Sequence, residues 1–69
     1  MELKVSEEQA WALAAVVMTK DQHLAFWLRH HEDFTATDIS RMLGISRQAT
    51  DARIEGGRRR LLKAIKEAA

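Results

Sequence analysis

Phe34-Thr-Ala-Thr-Asp-Ile-Ser-Arg-Met-Leu-Gly-Ile-Ser-Arg-Gln-Ala-Thr-Asp-Ala-Arg-Ile54 is the stretch on which the reading of this chain turns. It reads as two short helices joined by a tight glycine turn. Thr35 can cap the first helix, expected over Ala36 to Leu43, and Asp38 suits its positive end. Ile39, Met42 and Leu43 recur at helical spacing, and Ile39 and Leu43 are expected in the core. Gly44 supplies the left-handed residue that ends the helix. Ile45 plugs the turn, and Ser46 caps a second helix whose inward positions are Thr50 and Ile54.

A turn this short makes the two helices cross steeply. The first turns of the second helix are then pushed out of the domain, where they can enter a DNA major groove. With Thr50 and Ile54 inside, steps of about 100° per residue place Gln48, Asp51, Ala52 and Glu55 on the outward side. Arg47 flares from the first turn. Arg47 suits guanine O6 and N7, Gln48 suits adenine N6 and N7, and Asp51 can accept from cytosine N4. Thr35, Thr37, Arg41, Ser46 and Arg58 are placed for phosphates, which position a protein on the duplex and carry little sequence information.

Thr35 to Ile65 resembles the DNA-binding end of bacterial sigma factors, the region 4 type of helix-turn-helix. The matching residues are Thr35, Ile39, Leu43, Gly44, Ile45, Ser46, Arg47, Arg53, Ile54, Arg58, Arg60 and Leu61. Ser40 stands where the family has Ala, and Ala49-Thr50 replaces Thr-Val. Asp51 stands where a basic residue is common, and Gly56-Gly57 falls where the family continues with helix formers. The resemblance implies a transcription regulator that binds double-stranded DNA. Residues 1–33 share with the family only their helical, one-sidedly apolar character.

The 69 residues allow one domain, 1–69, with residues 6–33 as supporting helices and 35–66 as the helix-turn-helix with an extended basic helix. A chain of this size removes only about 60% of its unfolded surface from water and usually needs a staple or self-association. Cysteine is absent, which excludes disulfides and thiolate metal sites. Proline is absent too, and Ala, Leu, Glu, Lys and Arg dominate, so an all-α bundle of about four helices is expected. The longest uncharged stretch, Gln9 to Thr19, is too short for a membrane span, and no basic segment precedes it. A cytoplasmic, nucleoid-associated protein is expected.

Net charge is +1 and by itself argues for nothing. Its distribution argues more. Residues 1–33 carry three Lys/Arg against six Asp/Glu, a net of −3, and residues 34–69 carry eight against four, a net of +4. The basic half holds the helix-turn-helix pattern. Arg58-Arg59-Arg60, Lys63 and Lys66 could be a solvated helix end, but after this turn they point to nucleic acid.

The first helix is expected over Glu7 to Met18, with Ser6 as cap and Gln9 completing a capping box. Its stripe is Ala10, Leu13, Ala14 and Val17, widened by Trp11, Ala15 and Met18. The second is expected over Gln22 to His31, capped by Asp21, with Leu24, Trp27, Leu28 and His31 on one face. Both tryptophans, Phe26 and Phe34 are expected in the core. His23, His30 and His31, with Glu32 and Asp33, could share a helix face, but the spacing is not that of a structural metal site and no cofactor is expected. No catalytic constellation appears, and an enzyme is not expected.

Gly56-Gly57 is the local anomaly, because two glycines inside a helix lose about 1.5–2 kcal/mol against alanines. Close packing on the first or second helix, a bend, or a break ahead of Leu61, Leu62 and Ile65 would each account for it. A chain starting at Met1 with one domain is expected to be a complete small regulator acting as a homodimer on a two-part site. The dimer surface is expected at Leu61, Leu62 and Ile65, with Trp11, Ala15 and Met18 as a rival. The competing class is an interaction module that docks on RNA polymerase or another regulator; Asp51 and Glu55 on the outward face are its support.

Overall fold

The computed structural model describes residues 5–68, which form four helices: α1 (Glu7–Val17), α2 (Lys20–His30), α3 (Ala36–Leu43) and α4 (Arg47–Ala68). No strand occurs among the described residues. The all-α class expected from composition is the one observed. Residues 1–4 and 69, part of the expected domain, lie outside the described residues.

Two capping boxes start the supporting helices. The Ser6 hydroxyl accepts from the Gln9 N–H at 3.1 Å, and the Gln9 side chain accepts from the Ser6 N–H at 3.0 Å. The second helix starts two residues earlier than expected, and its cap is Thr19 rather than Asp21. Thr19 Oγ1 accepts from the Gln22 N–H at 3.2 Å, and Gln22 Oε1 accepts from the Thr19 N–H at 3.1 Å. Each box satisfies two of the orphan donors at a helix start. Asp21 instead lies in the first turn, where its charge still suits the helix dipole.

Helix α4 is the spine against which α1, α2 and α3 all pack. Its inward stripe is the expected one: Thr50 and Gly57 are buried and Ile54 and Leu61 half-buried. The core joins Ala14, Met18 and Phe26, with Trp11, Val17, Ile54 and Leu61 packed against them. Ala25 and Ile39 are also fully buried. Thr50 brings a hydroxyl inside, and the group is satisfied by donating to the Ser46 carbonyl at 3.0 Å.

The glycine pair sits where α2 meets α4, and α4 runs through it unbroken. A Cβ at Gly57 would lie 3.0 Å from Met18 Sδ and 3.4 Å from Gln22 Cβ. Close packing is therefore the reading that holds, and the break before Leu61 is excluded. The same approach decides which side of α2 turns inward. Gln22, Ala25 and Phe26 share that side, so the small Ala25 is buried while Leu24 is 45% exposed. On the shared face of Leu24, Trp27, Leu28 and His31, Trp27 and Leu28 are half-buried and His31 is exposed.

The aromatic rings tie α1 to α2. Trp11 meets Phe26 and Trp27 edge-on, with ring centroids 5.5 and 4.9 Å apart. Trp27 in turn stacks on His31 at 3.7 Å. Phe34 does not join them, its side chain being exposed. The link from α2 to α3 is held by backbone instead: the Phe34 N–H donates to the Leu28 carbonyl at 3.0 Å. Asp33 there takes a left-handed conformation, φ 61°, which Asp tolerates better than most residues. Of the surfaces expected for self-association, Trp11 and Leu61 pack against the core, Met18 is in it and Ile65 is half-buried, leaving Ala15 and Leu62 exposed.

Candidate nucleic-acid interface

Helix α3 and the turn after it are built by local signals. Thr35 Oγ1 accepts from the Asp38 N–H at 3.1 Å and opens the helix. Gly44 closes it at φ 67°, a conformation with a steric penalty for residues bearing a Cβ. The Gly44 and Ile45 N–H groups both donate to the Ser40 carbonyl, the second at 3.0 Å. The chain then re-enters helix at once, with the Ser46 hydroxyl accepting from the Ala49 N–H at 3.0 Å.

Ile39 is fully buried and Leu43 half-buried, as their spacing requires. Met42 is 53% exposed. The inward line of α3 runs through Ala36, Ile39, Ser40 and Leu43, and Met42 falls on its flank. Ser40 fits this buried line because its hydroxyl donates to the Thr37 carbonyl at 2.7 Å.

On α4, Arg47, Gln48, Asp51, Ala52, Glu55 and Arg58 are all exposed. Gln48, Asp51, Ala52, Glu55 and Arg59 repeat at i, i+3, i+4, i+7 and i+11, so they form one strip along the helix. The strip ends at Leu62, 40% exposed. Thr35, Arg41 and Ser46 are exposed, while Thr37 is half-buried and Arg53 is partly drawn in.

The basic run Arg58-Arg59-Arg60 divides its work. Arg58 Nη1 and Arg59 Nε both reach Glu55 Oε1 at 3.4 Å. Exposed pairs of this kind are worth only about 0–1 kcal/mol, so a phosphate can displace the carboxylate. Arg60 turns the other way and donates to the Val17 carbonyl at 3.3 Å, satisfying an orphan acceptor at the end of α1. Glu55 sits three and four residues before its partners, a spacing that was visible in the sequence as an ion-pair signal. The reach of Arg60 across the fold carried no such signal.

The three histidines are each engaged with an aromatic ring. His31 lies on Trp27, His30 is 4.4 Å from Phe26 between ring centroids, and His23 is stacked 6.4 Å from Trp27. Burial, with Arg29 and Arg58 nearby, holds the His30 imidazole below its ordinary pKa, partly offset by Asp33. Shallow hollows run along Lys20, His23, Leu24 and Trp27, along Val5, Ala12, Val16 and Ala68, and along Val17, Arg60, Lys63 and Glu67. Comparison of the chain with models of known families, with curated proteins and with solved structures gives no match.

Proposed function

We propose that this protein is a sequence-specific DNA-binding transcription regulator that reads the major groove with the N-terminal half of α4. One observation carries the reading. The α3–Gly44–α4 unit is built by its own caps and leaves the strip from Arg47 to Arg58 exposed while Ile39 and Thr50 hold the other side in the core. Arg47 and Gln48 then serve as base readers. Thr35, Thr37, Arg41, Ser46 and Arg58 serve as phosphate contacts, and Asp51, Ala52 and Glu55 line the groove. A cytoplasmic, nucleoid-associated location goes with this reading. No helix among the described residues is long and apolar enough to cross a membrane.

A second reading has its own observation. Glu55 neutralises Arg58 and Arg59 on the same strip where Asp51 adds another acid, which suits docking on RNA polymerase or another regulator. In-vitro selection from a random DNA pool separates the two, followed by gel shift with Arg47 and Gln48 both replaced by Ala. A recovered site whose binding is lost in the double variant supports groove reading. A pool that yields no preferred site favours the docking module.

A further inference from the structure

Helix α1 is apolar on two sides, and only one of them is used by the fold. No charge occurs from Gln9 to Thr19. Ala14, with Trp11 and Val17, enters the core. The opposite side, Val5, Gln9, Ala12, Leu13 and Val16, lines a shallow hollow that ends at Ala68. Val16 there is 80% exposed. A helix without a polar face is ordinarily covered all round, and an apolar face left open on a small domain marks an interface.

We propose that α1 pairs antiparallel with α1 of a second copy, about a two-fold axis midway between Ala12 and Val16. Charge complementarity selects this occupant. The N-terminal end of α1 carries Glu7 and Glu8, both exposed. Its C-terminal end is followed by the exposed Lys20 and flanked by Arg60 on the Val17 carbonyl, while Lys63 beside them is paired with Glu67 at 4.0 Å. A surface acidic at one end, apolar in the middle and basic at the other is complementary to itself when turned by two-fold rotation. In that register the small Ala12 of each copy faces the larger Val16 of the other, and Glu8 lies toward Lys20, which opens α2 just past the end of α1, at both ends. The antiparallel helix dipoles agree with the arrangement. An anionic membrane surface fits less well, because acids head the helix. The pairing stands independently of DNA binding.

Sedimentation equilibrium from micromolar to millimolar protein at low salt tests it. A concentration-dependent dimer is expected. Val16→Glu and Ala12→Glu, both at exposed positions, should keep the helical circular dichroism and melting of the wild type yet sediment as monomers. Glu8→Lys or Lys20→Glu alone should weaken the dimer about tenfold, since each change strikes both ends, and the two together should restore it. A wild type that stays monomeric to millimolar concentration overturns the proposal, as does a dimer that survives both Val16→Glu and Ala12→Glu. Failure of the double charge inversion to restore association overturns the antiparallel register.

Discussion

Gly57 and Met18 pack so closely that a Cβ on Gly57 would lie 3.0 Å from Met18 Sδ and push it aside. Met18 is the residue at which α1 ends, and Gly57 is the midpoint of the spine. The contact sets how near the α1–α2 corner comes to α4, and therefore how the supporting helices hold the helix that carries the exposed strip.

Gly57→Ala should destabilise the protein despite the better helix propensity of alanine. The substitution gains about 1 kcal/mol of propensity but overpacks Met18 and Gln22, at a loss of about 1–3 kcal/mol. Gly56→Ala should stay within about 0.5 kcal/mol of wild type, because a propensity gain of about 1 kcal/mol is offset by shifting the Gln22 amide, 2.8 Å away, from its capping bond to Thr19. Thermal melts by circular dichroism compare the two. An order of stability with Gly57→Ala above Gly56→Ala would remove the close-packing account of the pair.

These glycines also show where the sequence stops being legible. The bounds of α3, the turn at Gly44 and the cap at Ser46 were readable because each rests on local chemistry within three residues. The start of α2 was readable in the same way and was misplaced: Thr19 and Asp21 can both cap, and Gln22, three residues past Thr19, decides between them. The inward face of α2 had no local signal. Which of Leu24 or Ala25 turns inward depends on the approach of Gly57, more than thirty residues away in the chain. The outward strip of α4 followed from Thr50 and Ile54 by helical steps alone. The engagement of Arg60 with Val17, 43 residues away, did not.

Core substitutions should separate the two apolar positions of α3 that spacing alone did not distinguish. Ile39→Ala empties a fully buried site and should lose about 2–5 kcal/mol, enough to unfold much of a domain this small. Met42→Ala removes an exposed side chain and should change stability by less than about 0.5 kcal/mol. Urea titration at a common temperature reads both. Equal losses would mean that α3 is rotated from the orientation described.

Acidification should weaken the fold through His30. Its folded pKa is lowered by burial and by Arg29 and Arg58, so as pH falls the unfolded chain takes up the proton first. Stability contributed by the neutral imidazole is intact above the ordinary value and is lost as pH drops from that value toward the lowered one. The melting temperature should fall as pH drops below the ordinary imidazole value, and His30→Gln should flatten part of that fall. The same pH dependence in both proteins would show that other groups govern it.

Binding to DNA should respond in three different ways to changes along the α4 strip. Arg47→Ala should lose about 1–3 kcal/mol on the selected site and relax the preference at one base pair. Arg58→Ala should weaken all sequences alike and reduce the salt slope by about one unit. Glu55→Gln should do the opposite of Arg58→Ala. It frees Arg58 and Arg59 from the carboxylate they share at 3.4 Å and removes a negative charge that would face the phosphates. Affinity for random-sequence DNA at low salt should therefore rise several-fold, with a steeper salt dependence. The helix should stay folded, because exposed pairs contribute only about 0–1 kcal/mol. If the strip is instead a docking surface for a basic partner, Glu55→Gln will leave DNA binding unchanged and weaken that contact. Fluorescence anisotropy across a salt series, on the selected site and on scrambled DNA, distinguishes these responses in one experiment.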